Sequence, residues 1–347
     1  MSEVLFSTNE NGVATITLNR PKAINSLNYS MITLIKDKLL EWEKDPVIHL
    51  VILQGAGEKG FCAGGDIKTL YQSKENEAAY EQSVQFFKEE YETDRLVANF
   101  PKPIIACLDG IVMGGGIGLS QGASHRLVTE RTKWAMPEMN IGFFPDVGAA
   151  YFLNKAPGHL GRYLALTANV IKAADVLYTN GADAYIPSES LSPLLDQINN
   201  TDWHKEENLA AALEKLLGNF TTEPEQVGTL ASLQTEIDKH FAHSAIEEIV
   251  DSLAADKRDF SVQTKEILQS KSPVSLKVTL RQLIEGETKS LKECLDMDLI
   301  LAANFLQSED FYEGVRSVVI DKDQNPQYNY KQLSDVSPSM IDSFFQN

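Results

Sequence analysis

What most limits the folds open to this chain is the alternation, through its first half, of short apolar runs with stretches whose apolar residues recur every three or four positions. Val13-Ala14-Thr15-Ile16-Thr17-Leu18 has the pattern of a half-buried strand; Leu27, Met31, Leu34, Ile35, Leu39 and Trp42 follow at helical spacing until Asp45-Pro46. His49-Leu50-Val51-Ile52-Leu53 reads as the next strand, closed by Gly55-Ala56-Gly57, and a polar helix is expected over residues 76–98. Two further apolar runs, Ile104–Leu108 behind Pro101 and Pro103 and a short one at Arg126–Val128, complete the strands, and helices continue to residue 180. Strands alternating with helices, with glycine-rich turns at the strand ends, predict an α/β fold.

Beyond residue 186 the composition turns acidic and helix-leaning, and Ser272-Pro273 reads as a helix start, an N-cap followed by proline at the first helical position. The chain is therefore divided into a core of 1–190, an acidic helical connection of 191–245 and a helical C-terminal region of 246–347 expected to pack on the core. With 49 acidic against 31 basic residues the formal charge is −18, which repels phosphate backbones, so nucleic acid is not an expected partner. No run approaches the ~18 apolar residues of a membrane-spanning helix, and no membrane partner is expected. The N-terminal residues MSEVLFSTNENGV lack both an apolar signal core and the Arg-rich character of a transit peptide, which predicts a cytoplasmic protein, or one of the mitochondrial matrix if processed. Cys62, Cys107 and Cys294 share no CxxC spacing and the six histidines form no HExxH, so neither a disulfide frame nor a metal site is expected; His240 and His243 read as a solvated helix face.

Two glycine clusters carry the chemistry. Gly114-Gly115-Gly116-Ile117-Gly118 follows an apolar strand, but a dinucleotide fingerprint would need glycine at 121, where the chain has Gln121, and no GxxxxGK[ST] occurs. The remaining reading is that two backbone segments without side chains, one at Gly64-Gly65 and one at Gly114-Gly115, approach one ligand atom and polarise it with main-chain N–H groups. Downstream, Glu138 and Asp146 sit in Met136–Gly148, a segment otherwise apolar and turn-forming. A carboxyl group desolvated by Met, Ile and Phe has its neutral form favoured and its basicity raised, as proton transfer requires. Each acid is equally open to a structural reading as a cap or turn residue, Pro-Asp being a common turn dipeptide.

Gly60-Phe61-Cys62-Ala63-Gly64-Gly65-Asp66-Ile67, Gly110-Ile111-Val112-Met113-Gly114-Gly115-Gly116 and Pro137-Glu138, in that order, resemble the enoyl-CoA hydratase/isomerase (crotonase) superfamily. Arg20–Asn28 is similar to the superfamily's N-terminal segment, which contributes to the CoA site. The resemblance implies a crotonase-like spiral of ββα units binding a coenzyme A thioester, with the N–H groups of Gly65 and Gly115 as the oxyanion hole. Ala63, Gly64 and Asp66 would border the substrate, and Asp66 is read as tying the glycine loop together by backbone hydrogen bonds. Coenzyme A would be part of the substrate, and no other cofactor is implied. Hydratases of the superfamily carry a second glutamate just after the GGG turn, where this chain has Gly118, and glycine where it has Asp146. Those departures, with Phe143-Phe144-Pro145-Asp146-Val147-Gly148, Phe86–Tyr91, Ser272–Lys277, Glu313–Arg316 and Asp321-Lys322-Asp323, resemble the branch that hydrolyses 3-hydroxyisobutyryl-CoA in valine breakdown.

By that resemblance Glu138 and Asp146 are the catalytic pair, and Glu90, the second glutamate of Phe86–Tyr91, is a candidate substrate contact, with a solvated helix charge as its other reading. Phe143 and Phe144 are candidates to line the acyl pocket, and Arg316 is read as anchoring the C-terminal segment by an ion pair. Cys62, with no histidine near it in sequence, is not read as a nucleophile. The competing functions are a hydratase or isomerase of the same fold and a non-catalytic acyl-CoA-binding protein. Self-association into trimers or hexamers is common in the superfamily, and a homo-oligomer is possible here.

Overall fold

The computed structural model describes residues 2–346. These fold as two compact units, each assembled from three stretches of chain. The first takes the residues up to Gly65, then Glu92–Trp134 and Ile171–Gly228; the second takes Asp66–Tyr91, Ala135–Val170 and the residues from Thr229 onward.

In the first unit, strands β1 (Val4–Thr8), β2 (Val13–Leu18), β3 (Leu50–Gly55), β5 (Ile104–Leu108), β7 (His125–Val128) and β9 (Ala184–Tyr185) form one sheet in the order β1-β2-β3-β5-β7-β9. Only β1 runs antiparallel to its neighbour; every later pairing is parallel. A parallel sheet covered on both faces demands continuous apolar strands, and β5 is buried at all five positions. Strands β4 (Gly60–Cys62), β6 (Ile111–Met113) and β8 (Lys133–Ala135) make a second, three-stranded sheet.

The sequence reading finds β2 and β5 to the residue, β3 and β7 to within two, and the helix at 76–98 to within one, since it spans Glu77–Ala98. The first helix is Tyr29–Lys44, capped by the Asn28 side chain, which accepts from Met31 N at 2.9 Å. Leu34, counted above in its apolar stripe, is exposed, and Ile32 holds the buried place.

The acidic residues beyond 186 fold into helices Ser188–Asn200 and Leu209–Gly218, whose apolar faces belong to the core of the first unit. Leu194, Ile198, Leu213 and Leu217 pack with Leu50 and Ile52 of β3 and with Ile105 and Cys107 of β5, alternate residues that share one face of the sheet.

The second unit is mainly helical. Helix Pro273–Gly286 begins as its sequence signals, with Ser272 Oγ accepting from Ser275 N at 3.2 Å and proline at the first turn. Helices Leu291–Phe305, Glu309–Val315 and Pro338–Phe344 follow. His240 corrects the reading of a solvated face: its side chain is fully buried, with Nδ1 2.8 Å from Ser252 Oγ and Nε2 3.1 Å from Ser261 Oγ. Helix Ile246–Ala254 and helix Asp259–Gln269 supply those hydroxyls, so the histidine is a satisfied core residue. Among the described residues no helix is long and apolar enough to cross a membrane.

Candidate active site

Strands β4 and β6 lie side by side and parallel, Gly60 opposite Ile111 and Cys62 opposite Val112. Parallel neighbours deliver their C-terminal loops to the same end of the sheet, which brings Gly64-Gly65 against Gly114-Gly115. A methyl group at Gly64 would lie 3.2 Å from the Met113 carbonyl oxygen and 3.5 Å from Gly115 N, and its φ is +99°, so this approach requires glycine. Gly115 opens the helix Gly115–Gln121, and its N–H therefore has no acceptor one turn back in that helix.

The Gly64-Gly65 loop is fixed from two sides. Gly64 O accepts from Leu27 N at 2.8 Å, and Gly64 N donates to Cys62 Sγ at 3.4 Å. Cys62 is thus a buried loop tie, its thiol also 3.3 Å from Asn25 O. Ala63 N donates to Ile24 O at 2.9 Å, and buried Asn25 reaches Ala56 O and Gly60 O, each at 3.0 Å, which binds the segment 20–28 to the glycine loop. Asp66 precedes the short helix Ile67–Leu70; its side chain makes no capping hydrogen bond, and its carbonyl accepts from Thr69 N at 2.9 Å.

In the second unit Glu138 heads the 3-10 turn Glu138–Ile141 and is 8% exposed, with Oε2 buried and unpartnered among the described residues. Burial, and secondly the charge of Asp146, push its carboxyl well above the usual range. Asp146 is 5% exposed; burial pushes it up to about 6, against the opposing pull of the Tyr91 hydroxyl, which donates to Oδ2 at 2.7 Å. Two acids that feel each other lose their protons as a pair. The structure therefore brings Glu138 and Asp146 together, as it does the two glycine loops.

Glu90 is buried on its helix, which removes the reading of a solvated charge. Phe143 and Phe144 are both buried. The Phe143 ring lies 5.7 Å from Phe87, 5.3 Å from Phe305 and 5.3 Å from Phe311, and the Phe144 ring 4.6 Å from Phe143, so both belong to a packed aromatic core. Arg316 has the anchoring role read from sequence, bonded to Glu313, Asp321 and Asp323.

Sequence reasoning missed three residues around Asp146. Tyr91 is one; Asp298, which accepts from Gly148 N at 2.8 Å, and Gln282, which donates to Pro145 O at 2.8 Å, are the others. Asp298 has a signal in the sequence: it interrupts the buried stripe Cys294, Leu295, Leu301, Ala302 and Phe305 of its helix.

Two results are expected from this geometry. Tyr91→Phe removes a hydrogen bond to the charged form of Asp146, so the acid limb of activity should move up by about one to two pH units, as a charge-assisted bond of about 1.5–3 kcal/mol implies. A pH–rate profile superimposable on that of the native protein would refute this. Gly314→Ala should destabilise the protein by about 1–3 kcal/mol or more, because a methyl there overlaps the Ile141 carbonyl beside the Glu138 turn. Urea unfolding reads the loss directly; an unchanged midpoint would mean that the helix Glu309–Val315 retreats without cost.

Comparison with known proteins gives the class. The family described as enoyl-CoA hydratase/isomerase matches residues 13–345, and the chain belongs to that family. Among curated relatives, the mitochondrial 3-hydroxyisobutyryl-CoA hydrolase of Xenopus tropicalis is 42% identical over 330 residues, 95% of this chain and 85% of the relative. Its human counterpart is 39% identical, with 96% and 86% covered. Among solved structures, a carnitinyl-CoA dehydratase from Mycobacterium thermoresistibile superimposes with a TM-score of 0.92 at 33% identity, covering 100% of this chain and 97% of its own. An enoyl-CoA hydratase from Rhodobacter sphaeroides 2.4.1 gives 0.88 at 32%, with 99% and 97% covered. The fold is thus the crotonase type with a helical C-terminal region.

Proposed function

We propose that this protein hydrolyses a short-chain 3-hydroxyacyl-CoA thioester, foremost 3-hydroxyisobutyryl-CoA, to the hydroxy acid and free CoA in valine breakdown. The observation that carries the reading is the buried, interacting pair Glu138 and Asp146, in a chain 39–42% identical to curated relatives bearing that hydrolase name. Their names also place them in mitochondria; the mitochondrial matrix, or the cytoplasm, is the compartment proposed here.

A thioester carbonyl oxygen gains charge as its carbon is attacked, and the amides of Gly65 and Gly115 are assigned to that oxygen. Glu138, once ionised, either takes a proton from the attacking water or attacks the carbon itself, forming an anhydride that water then opens. In both routes the C–S bond breaks and the sulfur leaves as the CoA thiol. Asp146 orients water or the substrate hydroxyl and raises Glu138 by its charge. Glu90, Ala63, Gly64 and Asp66 are assigned to substrate binding, and the scheme needs no cofactor beyond the CoA of the substrate.

Because the ionised pair is required and both acids are pushed up, activity should fall on acidification with a limb at or above pH 6, well above an ordinary glutamate near ~4.3. The rate should hold or rise on the alkaline side. A steep alkaline loss with the fold intact would instead make neutral Glu138 the required form.

A panel of 3-hydroxyisobutyryl-CoA, 3-hydroxypropionyl-CoA and crotonyl-CoA, followed with a thiol reagent, tests the reading. Thiol release fastest from a 3-hydroxyacyl thioester is expected. Loss of crotonyl absorbance without free thiol would favour hydration, the reading that the dehydratase and hydratase names of the solved relatives support. Against it, helix Gly115–Gln121 carries no ionisable side chain to serve as a second acid.

A further inference from the structure

The turn that carries Asp146 is held in an unfavourable conformation. Val147, buried and β-branched, has φ +52°, a region such residues rarely enter, and Gly148 follows at +80°. Strain of this kind persists only where the surroundings over-determine it, and two side chains do so here. Gln282 Nε2 donates to Pro145 O and to Asp298 Oδ1, each at 2.8 Å, while Asp298 Oδ2 accepts from Gly148 N at 2.8 Å. One side chain grips the carbonyl before Asp146, the other the amide two residues after it, and the two grip each other.

We infer that Gln282 and Asp298 form a bracket that fixes the Pro145–Gly148 turn and so aims the Asp146 carboxylate, making both positioning residues of the reaction. The inference rests on the reading of Asp146 as a working member of the site. Both side chains have no exposed surface. A leucine in either place would fill the volume but leave a backbone group of this turn buried without a partner. All the bonds they make in this cluster end on the turn or on each other, and the Tyr91 hydroxyl fixes the remaining end of Asp146.

The donor and acceptor polarity makes the bracket testable by small changes. In Asp298→Asn the new NH2 must face either Gln282 Nε2 or Gly148 N, a donor against a donor in both cases. If Gln282 turns over to relieve the first, its oxygen meets Pro145 O. Gln282→Met keeps the bulk and deletes both donations. Either variant should lower kcat by about 10- to 100-fold, as misplacement of a reacting group by ~1 Å does, while KM stays within about twofold. In an Asp146→Asn background the same substitutions should add less than about twofold, because they act through a carboxylate no longer present. Asp296→Asn, on the exposed side of the same helix and paired with Lys292, is the control expected to leave kcat unchanged.

Native kcat in both bracket variants, beside a slow Asp146→Asn, would overturn the bracket alone. So would losses that multiply in the double variants, the mark of general destabilisation. Native kcat in Asp146→Asn itself would instead remove the catalytic reading of Asp146, and the bracket's role with it. If Asp298→Asn does not fold, Gln282→Met decides the matter alone.

Discussion

Glu138→Gln is expected to slow thiol release by about 10²- to 10⁴-fold with KM little changed, the usual cost of removing a group that moves protons or attacks. Glutamine has the same shape and can occupy the same buried site, so the loss is of ionisation and not of packing. Stability should move the other way. A carboxyl whose folded-state pKa is raised favours the folded state fully below its ordinary pKa, and loses that advantage as pH rises through the raised value. The neutral amide does not titrate, so the variant should match the native protein in urea at pH 4 and exceed it at pH 8. A rate within threefold of native would sink Glu138 as the reacting acid.

The second large effect is expected at the oxyanion donors. Gly115→Pro should lower kcat by about 10²- to 10³-fold, or about 2.7–4 kcal/mol, as loss of one such donor does. The structure makes this substitution informative because Gly115 is the first residue of its helix. Proline is well tolerated there: the missing N–H has no helical acceptor and the ring presets φ. Gly115→Ala, which keeps the N–H, should retain most of the activity. Equal activity in the two variants, with matching circular dichroism, would take Gly115 out of the mechanism.

The parts of the fold legible in sequence were those whose pattern is dictated by local burial. β5 reads as a strand because every one of its side chains is buried, and helix Pro273–Gly286 because its first turn has to be capped. The three-residue strands β4, β6 and β8 are too short for any period to emerge; β4 and β6 show only as parts of glycine-bearing motifs, and β8 leaves no sign in the sequence. The acidity of 191–228 describes the outer face of its helices, while Leu194, Ile198, Leu213 and Leu217 decide where they pack. His240 was misread because its partners come from two later helices.

The candidate site divides in the same way. Glycines 64, 65 and 115 and the acids 138 and 146 are legible in motifs, because close backbone approach and desolvated acids demand particular residue types. Their supports are not. Tyr91 and Asp298 lie 55 and 150 positions from the residues they hold, and nothing local marks a hydroxyl or an acid for so distant a partner. An aspartate inside an apolar stripe was the one available sign.

The interleaving of the two units bears on how the enzyme is made. Everything the first unit needs has been synthesised once Gly228 has left the ribosome, so the glycine loops can be in place early. The acid-bearing unit must wait for Gln282, Asp298 and the helix that presses Gly314 onto Ile141. A nascent chain stalled in between would carry its glycine loops without the clamp on its acids, and no thioester cleavage is expected of it.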